Sequence, residues 1–159
     1  FYSFIEKLEL FKFSDLKPVS FEDIELLLED HNSATNQEII NYLATGDFEN
    51  MTVSLRKLCN MGLQPSQIIN VIKYHFSLLL KVSLEPQNPD LILNKTYPPI
   101  FGHRRKQIVK HSKIWSTKRS EQALKIIHLS EKQMRSSTQV NINIILERAC
   151  LKVAYLVNL

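Results

Sequence analysis

Residues 46 to 82 read GDFENMTVSLRKLCNMGLQPSQIINVIKYHFSLLLKV, and this segment is the most informative part of the chain. Asp47 precedes an amphipathic stretch and suits a helix start, because its carboxylate can accept hydrogen bonds from the free amides of the first turn. Gly62 is typical of a helix end, and Pro65 suits the first turn of a following helix, where a missing N–H is tolerated. The segment therefore predicts two helices joined by a short Gly-Leu-Gln-Pro corner.

The second of these helices is apolar around most of its circumference. Its widest apolar face comprises Ile68, Ile69, Ile72, Phe76, Leu79 and Leu80, and Val71, Leu78 and Val82 extend this face. A surface helix keeps one side polar, so a helix that is apolar nearly all round belongs inside a bundle. We therefore predict that residues 65–85 form the central helix of an all-α, helical-bundle domain.

Hydrophobic periodicity predicts helices over most of the remaining chain and no β-strand. The expected helices are 2–12, 20–30, 36–45, 48–60, 65–85, 101–115, 118–136 and 141–156. Residues 31–36, HNSATN, are polar and are predicted to be a linker that follows a short N-terminal helical unit. Residues 85–100 contain four of the six prolines, so we expect an irregular crossing there with one helical turn at residues 91–93.

Charge is distributed unevenly along the chain, although the formal net charge is only +4. Residues 1–50 contain 3 Lys/Arg and 11 Asp/Glu, whereas residues 51–159 contain 17 and 5. Residues 104–119 contain no acid and seven cations, namely Arg104, Arg105, Lys106, Lys110, Lys113, Lys118 and Arg119. Clustered cations attract phosphate backbones and acidic protein surfaces. These residues are a candidate basic contact surface, and the alternative is an ordinary solvated helix face.

The other side of the basic helix carries Ile108 and Trp115. We predict that Trp115 is buried between this helix and the helix at 118–136. His103 and His111 are expected to add to the basic surface, and His75 and His128 to be ordinary helix residues.

The sequence contains little that is typical of an enzyme. Its three glycines form no phosphate-binding loop, and its five histidines and two cysteines lack metal-ligand spacing. Cys59 and Cys150 both fall on apolar stripes, so we expect reduced, buried thiols. We predict no catalytic, cofactor-binding or metal-binding residues in this chain. No apolar run approaches the ~18 residues that a membrane span needs, so a cytoplasmic location without membrane contact is expected.

The order and spacing of these motifs resemble the C-terminal region of the delta subunit of bacterial DNA polymerase III, a clamp-loader subunit. Gly46-Asp47, the Gly-x-x-Pro corner at 62–65 and the aromatic-x-x-Leu-Leu run beginning at Phe76 follow one another as in that family. The chain departs from the family at Tyr74 and His75, where an Arg usually lies beside the aromatic residue. The family's Asp and Lys of the penultimate helix appear here as Glu131 and Arg135.

Both ends of the chain extend the resemblance. FIEKLELF (4–11) and VSFEDIELLLED (19–30) resemble the end of the family's lid domain. PPIFGHRRKQIVKHSKIWS (98–116) and LERACLKVAYL (146–156) resemble two later helices. The resemblance thus covers nearly the whole chain. Because the chain begins with Phe rather than Met, we expect it to be a fragment whose N-terminal part has been removed.

The resemblance implies both a domain organisation and a function. Residues 1–32 would be the end of a helical lid domain, and residues 33–159 a helical collar domain. Family collars hold loader subunits in a pentamer, so this region would be a non-catalytic assembly module for DNA replication. Its partners would be the collars of other loader subunits. Contact with the DNA backbone through the basic surface would be weak. The parent assembly would be a DNA-directed DNA polymerase, which is a nucleotidyltransferase. The isolated fragment is expected to be monomeric.

The last helix carries the candidate subunit interface. One apolar stripe, assigned to the core, comprises Ile142, Ile145, Leu146, Ala149, Val153 and Leu156. Ile144 and Leu151 lie off this stripe and are therefore predicted to face a partner. The alternative function is a stand-alone helical nucleic-acid-binding domain that uses the basic surface at 104–119.

Overall fold

A computed structural model describes residues 31–97, 100–136 and 140–158, together with 5–6, 9–10, 12–13 and 18–19, the side chains of 31–35 excepted. The chain forms two compact units, Phe1–Ala34 and Thr35–Leu159. Residues 5, 6, 9, 10 and 12 are helical, and the predicted helix at 20–30 lies outside the described residues. The described residues are helical or irregular and include no β-strand, so the predicted all-α class is confirmed.

The described helices begin with α1 His31–Thr45, α2 Phe48–Asn60, α3 Pro65–Leu84 and α4 Pro89–Lys95. They continue with α5 Gly102–Ser112, α6 Thr117–Ser136, α7 Ile142–Tyr155 and a terminal 3₁₀ helix, Leu156–Asn158. Most predicted helices downstream of residue 36 are confirmed, with ends that differ by a few residues. Such differences are expected at helix ends, which fray and tighten into 3₁₀ turns.

Two irregular segments predicted from the sequence are more helical than expected. The prediction of an irregular linker at residues 31–36 is wrong, because α1 begins at His31, although the division between the two compact units falls within this segment, after Ala34. That segment is polar but lacks Gly and Pro, so nothing in it interrupts a helix. The single turn expected at 91–93 is the seven-residue helix α4, which has Pro89 in its first turn and buries Leu93.

Local side-chain chemistry forms the corner between α2 and α3 as the sequence predicts. The Asp47 carboxylate accepts a hydrogen bond from the Asn50 amide at 3.1 Å and so caps α2. Gly62 ends this helix with φ +86°, a conformation that favours glycine. At the start of α3, the Gln67 side chain accepts a hydrogen bond from the Gln64 amide at 3.0 Å. The corner is therefore fixed by residues that lie next to it in sequence.

Gly46 allows a close contact between the α1–α2 turn and the C-terminal end of the bundle. Its φ is +75°, and a Cβ at this position would lie 3.3 Å from Val157 Cβ and 3.4 Å from the Ala154 carbonyl oxygen. Both the backbone conformation and the space favour glycine here. The turn can therefore lie directly against the end of α7.

Helix α3 is the centre of the main unit. It packs against α4, α5, α6 and α7. Its buried residues are Ile68, Ile69, Ile72, His75, Phe76, Leu78, Leu79 and Val82. The prediction of a central helix is therefore confirmed, and the helices around it are placed by the need to cover its apolar surface.

Trp115 joins three parts of the core. Its indole is 1% exposed and packs edge-to-face on Phe76 of α3, with ring centroids 4.6 Å apart. Its Nε1–H donates a hydrogen bond to the Ala44 carbonyl oxygen of α1 at 2.9 Å. The predicted burial is confirmed, and the ring contact and the hydrogen bond connect the indole to α3 and to α1. The indole thereby satisfies its one polar group inside the core.

Replacing Trp115 with Ala should lower the free energy of unfolding by about 3 to 5 kcal/mol, because a large cavity forms and the Ala44 carbonyl loses its donor. Tyr97→Ala is a matched control, since the Tyr97 side chain is 97% exposed and should contribute within about 0.5 kcal/mol. Urea denaturation followed by circular dichroism measures both variants. Equal stability of Trp115→Ala and the parent would show that this residue is not part of the core.

Candidate interaction surfaces

One face of α7 is apolar and exposed. Ile144 is 50%, Leu151 38% and Tyr155 57% exposed. Their spacing of seven and four residues places them on one face of the helix. The opposite face is buried through Ile145, Leu146, Ala149, Cys150, Val153 and Ala154. The structure therefore leaves both predicted interface residues outside the core.

Ile142 does not belong to the core, contrary to the stripe predicted from the sequence. It is 42% exposed because it is the first residue of α7, where the helix has only begun. Leu156, at the other end of the predicted stripe, is buried. The buried stripe therefore begins at Ile145 rather than at Ile142, and Ile142 lies on the side of the helix opposite to Ile144 and Leu151.

A hollow of 440 Å³ opens beside the exposed face of α7, and we call it the α7 hollow. Its lining residues are Phe48 of α2, Ile126 of α6, and Leu151, Lys152 and Tyr155 of α7. Lys152 is the only charged residue among them. Leu129, three residues after Ile126 on α6, is also exposed. Leu151 therefore belongs to an apolar depression, and Ile144 extends the same helix face two turns away.

The three arginines of the predicted basic surface are engaged within the protein. Arg105 donates hydrogen bonds to the Asp90 carboxylate at 2.7 and 2.9 Å and to Asn94 at 2.7 Å, which fastens α4 to α5. The Arg104 guanidinium lies 5.0 Å from the centre of the Tyr74 ring. Arg119 donates a hydrogen bond to the Ile114 carbonyl oxygen at 3.2 Å. Asp90 offsets the charge of Arg105, whereas Arg104 and Arg119 keep their full charge and use part of their guanidinium groups within the protein.

The four lysines of the predicted surface remain exposed. Lys106, Lys110 and Lys113 follow one another by four and three residues and so form one row along α5, and Lys118 lies near the start of α6. These lysines make no ion pair within the described part of the chain. We call Lys106, Lys110, Lys113 and Lys118 the lysine row.

His111 is buried, so the prediction that it adds to the basic surface is wrong. Its Nδ1 lies 3.0 Å from Nε2 of His75, and its Nε2 lies 3.2 Å from Oδ1 of Asn41. If both rings are neutral, His75 donates to His111, which donates to Asn41, and each contacting nitrogen is satisfied. This polar chain joins α3, α5 and α1. His103 is exposed, with Nδ1 3.2 Å from the Gln37 side-chain oxygen.

Burial keeps the histidine pair neutral. It lowers the pKa of His111 to about 4, with a smaller contribution from the charge of Lys110. Burial also lowers the pKa of His75 well below its ordinary value, helped by His111 and Arg104. The sequence holds a signal for this pair, since His75 lies among the apolar residues of α3 and His111 lies four residues before Trp115.

Glu131 joins α6 to α3. Its carboxylate accepts hydrogen bonds from Lys73 Nζ at 2.9 and 3.1 Å and from Arg135 at 2.6 Å. The hydrogen bond from Lys73 is the main reason that the pKa of Glu131 is lowered, and the Arg135 charge adds to it. Of the two residues that match the family's Asp and Lys, Glu131 therefore connects α6 to α3, whereas Arg135 pairs with it within α6.

The cysteines are not poised for nucleophilic chemistry. Both are free, Cys150 is buried and Cys59 is half-buried. Burial raises the pKa of the Cys150 thiol to about 12 and also raises that of Cys59, so both stay protonated near neutral pH. The described residues bring together no group of three or more His, Cys, Asp or Glu that could hold a metal ion. Among the described helices, none combines the length and apolar character that crossing a membrane requires.

Comparison with known proteins shows the fold. No family model and no curated protein matches the chain. The structure is similar to that of the DNA clamp loader delta protein YqeN of Bacillus subtilis, with a TM-score of 0.68 and 15% sequence identity. The match covers 97% of this chain and 45% of that protein, so this chain spans less than half of its length. The fold is therefore that of a region of a clamp-loader delta protein, as the sequence resemblance implied.

The buried histidine pair should make the protein less stable in mild acid. In the unfolded chain histidine binds a proton near pH 6.5, whereas in the folded protein His111 does so only at about 4. Between these values the unfolded state binds more protons than the folded state. The contribution of His111 to the free energy of unfolding is therefore complete above about pH 6.5 and is lost as the pH falls toward about 4.

Urea denaturation at neutral pH and at about pH 5 measures this loss. His111→Gln should reduce the pH dependence although it lowers stability at neutral pH. His103→Gln, which changes an exposed histidine, should leave the pH dependence as in the parent. An unchanged pH dependence in His111→Gln would contradict the account.

Proposed function

We propose that this chain is a non-catalytic assembly module of a DNA-replication clamp loader, where it holds a delta-type subunit in the loader pentamer through helix–helix contacts. The observation that carries the proposal is the exposed apolar face of α7, with Ile144, Leu151 and the α7 hollow. Covering such a face removes apolar surface from water and so favours association. The likeness of the fold to a region of a clamp-loader delta protein supports this function.

The buried titratable groups of the described residues also favour assembly over chemistry. His75 and His111 satisfy each other inside the core, and the thiols of Cys59 and Cys150 stay protonated. A general base or a nucleophile needs access to a substrate and a pKa near the working pH. We infer that the fragment contributes binding free energy, while the parent assembly would carry the DNA-directed DNA polymerase activity.

The domain assignment belongs to the same proposal. In it, residues 1–32 are the end of a lid domain and residues 33–159 are the collar domain. The partners are the collars of other loader subunits, and the isolated fragment is monomeric. The exposed apolar face is needed by an unlike neighbour and need not close on a second copy.

A second candidate is binding to nucleic acid, and the lysine row is the observation that favours it. Four exposed lysines without ion pairs among the described residues can release counterions from a phosphate backbone. The three engaged arginines limit the strength of such contact. We propose weak, sequence-independent contact with DNA as an addition to assembly, and a stand-alone nucleic-acid-binding domain as the alternative.

Mixed with the other loader subunits, the chain should co-elute with them in one complex, with or without ATP, because helix–helix contacts need no nucleotide. Leu151→Asp and Ile144→Asp should each weaken this association about tenfold or more, since a charge would be forced against an apolar partner. Leu84→Asp is the matched control, because Leu84 is exposed on α3 and not on α7. Size-exclusion chromatography with mass measurement shows whether each variant co-elutes with the loader subunits and gives the mass of the complex. A folded, helical parent chain that enters no loader complex would refute the assembly function.

Fluorescence anisotropy with a labelled DNA duplex tests the second candidate. The parent should bind weakly, and its affinity should fall steeply with added salt. Reversing the lysine row to Glu should abolish binding. Reversing four exposed lysines elsewhere, Lys57, Lys81, Lys95 and Lys132, gives the same change in net charge and should have a smaller effect. Tight, salt-resistant and sequence-selective binding would favour the stand-alone alternative.

A further inference from the structure

We propose that the α7 hollow receives one bulky apolar side chain from a helix of an unlike partner, and that a carboxylate beside this side chain pairs with Lys152. The inference rests on the proposed assembly function and adds the chemistry of the partner to it. It predicts that partner recognition at α7 depends on charge as well as on apolar contact.

The shape of the hollow suits a single large side chain. Phe48, Ile126, Leu151 and Tyr155 line it from three helices and border a shallow, solvent-open volume of 440 Å³. This space is ample for one aromatic or large aliphatic side chain. Moving such a side chain from water to apolar walls lowers the free energy, whereas moving an unpaired polar side chain there raises it. A projecting Phe or Leu on a partner helix therefore fits the hollow.

The walls of the hollow are held in place before any partner arrives. Phe48 follows Gly46, whose turn lies against Ala154 and Val157 at the end of α7. On α6, Ile126 precedes the fully buried Ile127, and on α7 Leu151 follows the buried Cys150. Binding at a preformed hollow requires little ordering of side chains and loops, so the entropic cost of association is small.

The charge around the hollow is positive. Lys152 lines it, Arg148 lies four residues earlier on α7, and Lys125 adjoins Ile126; all three are exposed and make no ion pair among the described residues. Glu147 is engaged by Arg56 at 3.8 Å. Asp47 and Glu49 lie on either side of Phe48. Lys152, Arg148 and Lys125 against these two acids leave a net charge of +1 near the lining, and Lys152 is the charge that lines the hollow itself. An acidic partner is therefore favoured over a basic one.

The same charges argue against a second copy of this chain as the occupant. A two-fold contact through α7 would place the surface around Lys152 and Arg148 against its own copy. Like charges would then approach each other at an interface, which disfavours association. An unlike helix with acidic residues meets no such repulsion.

The test uses two synthetic helical peptides and the chain with isotope-labelled Ile and Leu methyl groups. Each peptide has one central Phe on its apolar face; in one peptide the residues four before and three after it are Glu, and in the other Lys. Titrations followed by NMR should show the Glu peptide shifting the Ile126 and Leu151 methyl signals. We expect it to bind about fivefold more tightly than the Lys peptide at low salt, and the difference to shrink with added salt.

Charge reversal on the protein completes the test. Lys152→Glu should remove or invert the preference between the peptides, whereas the matched control Lys106→Glu on α5 should preserve it. Equal binding of the two peptides, or methyl shifts away from the hollow, would overturn the inference. Sedimentation that shows a dimer of the parent, lost in Leu151→Asp, would assign the hollow to a second copy instead.

The inference and the proposed function can fail separately. If the chain enters the loader complex and Lys152→Glu enters it equally well, the inference is wrong and assembly stands. If the Glu peptide binds as expected but the chain enters no loader complex, the hollow is a docking site and the proposed assembly function is wrong.

Discussion

The burial of α3 on several sides is the constraint on which the rest of the structure depends. A helix that is apolar nearly all round must be covered, and α4, α5, α6 and α7 pack against it. Phe76 of this helix contacts Trp115, whose indole reaches Ala44 of α1 by a hydrogen bond. Helix α7 buries one side against α6, α2 and α3, and Leu151 on its other side stays exposed and available to a partner.

The sequence predicts most of the fold because its decisive signals are local. Asp47, Gly62 and Pro65 act on the backbone within one turn, so they mark the ends of α2 and α3 without knowledge of the tertiary structure. The polar residues 31–36 indicate a linker, but they include no Gly or Pro that would end a helix, so α1 begins at His31 rather than at residue 36. Leu151 could be placed outside the core because a helix of known register has only one buried side.

The sequence does not predict contacts that the tertiary structure creates. The position of His111 four residues before Trp115 indicates the buried side of its helix, but its contacts there with His75 and Asn41 follow only from the tertiary structure. Arg105 is likewise one of the cations of the basic segment in the sequence, but in the structure Asp90 of α4 pairs with it. The α7 hollow depends on three helices meeting, so neither Leu151 nor Lys152 signals it alone. Distant pairings therefore reshape the candidate surfaces while leaving the helices as predicted.

Photo-cross-linking in the reconstituted loader can show whether the exposed face of α7 binds another subunit. A photoreactive phenylalanine analogue would replace Leu151 in one sample and Lys106 in another, and mass spectrometry would identify the cross-linked protein. We expect position 151 to cross-link to another loader subunit and position 106 not to do so. Cross-links to another subunit from position 106, with none from position 151, would show that α7 is not the binding face.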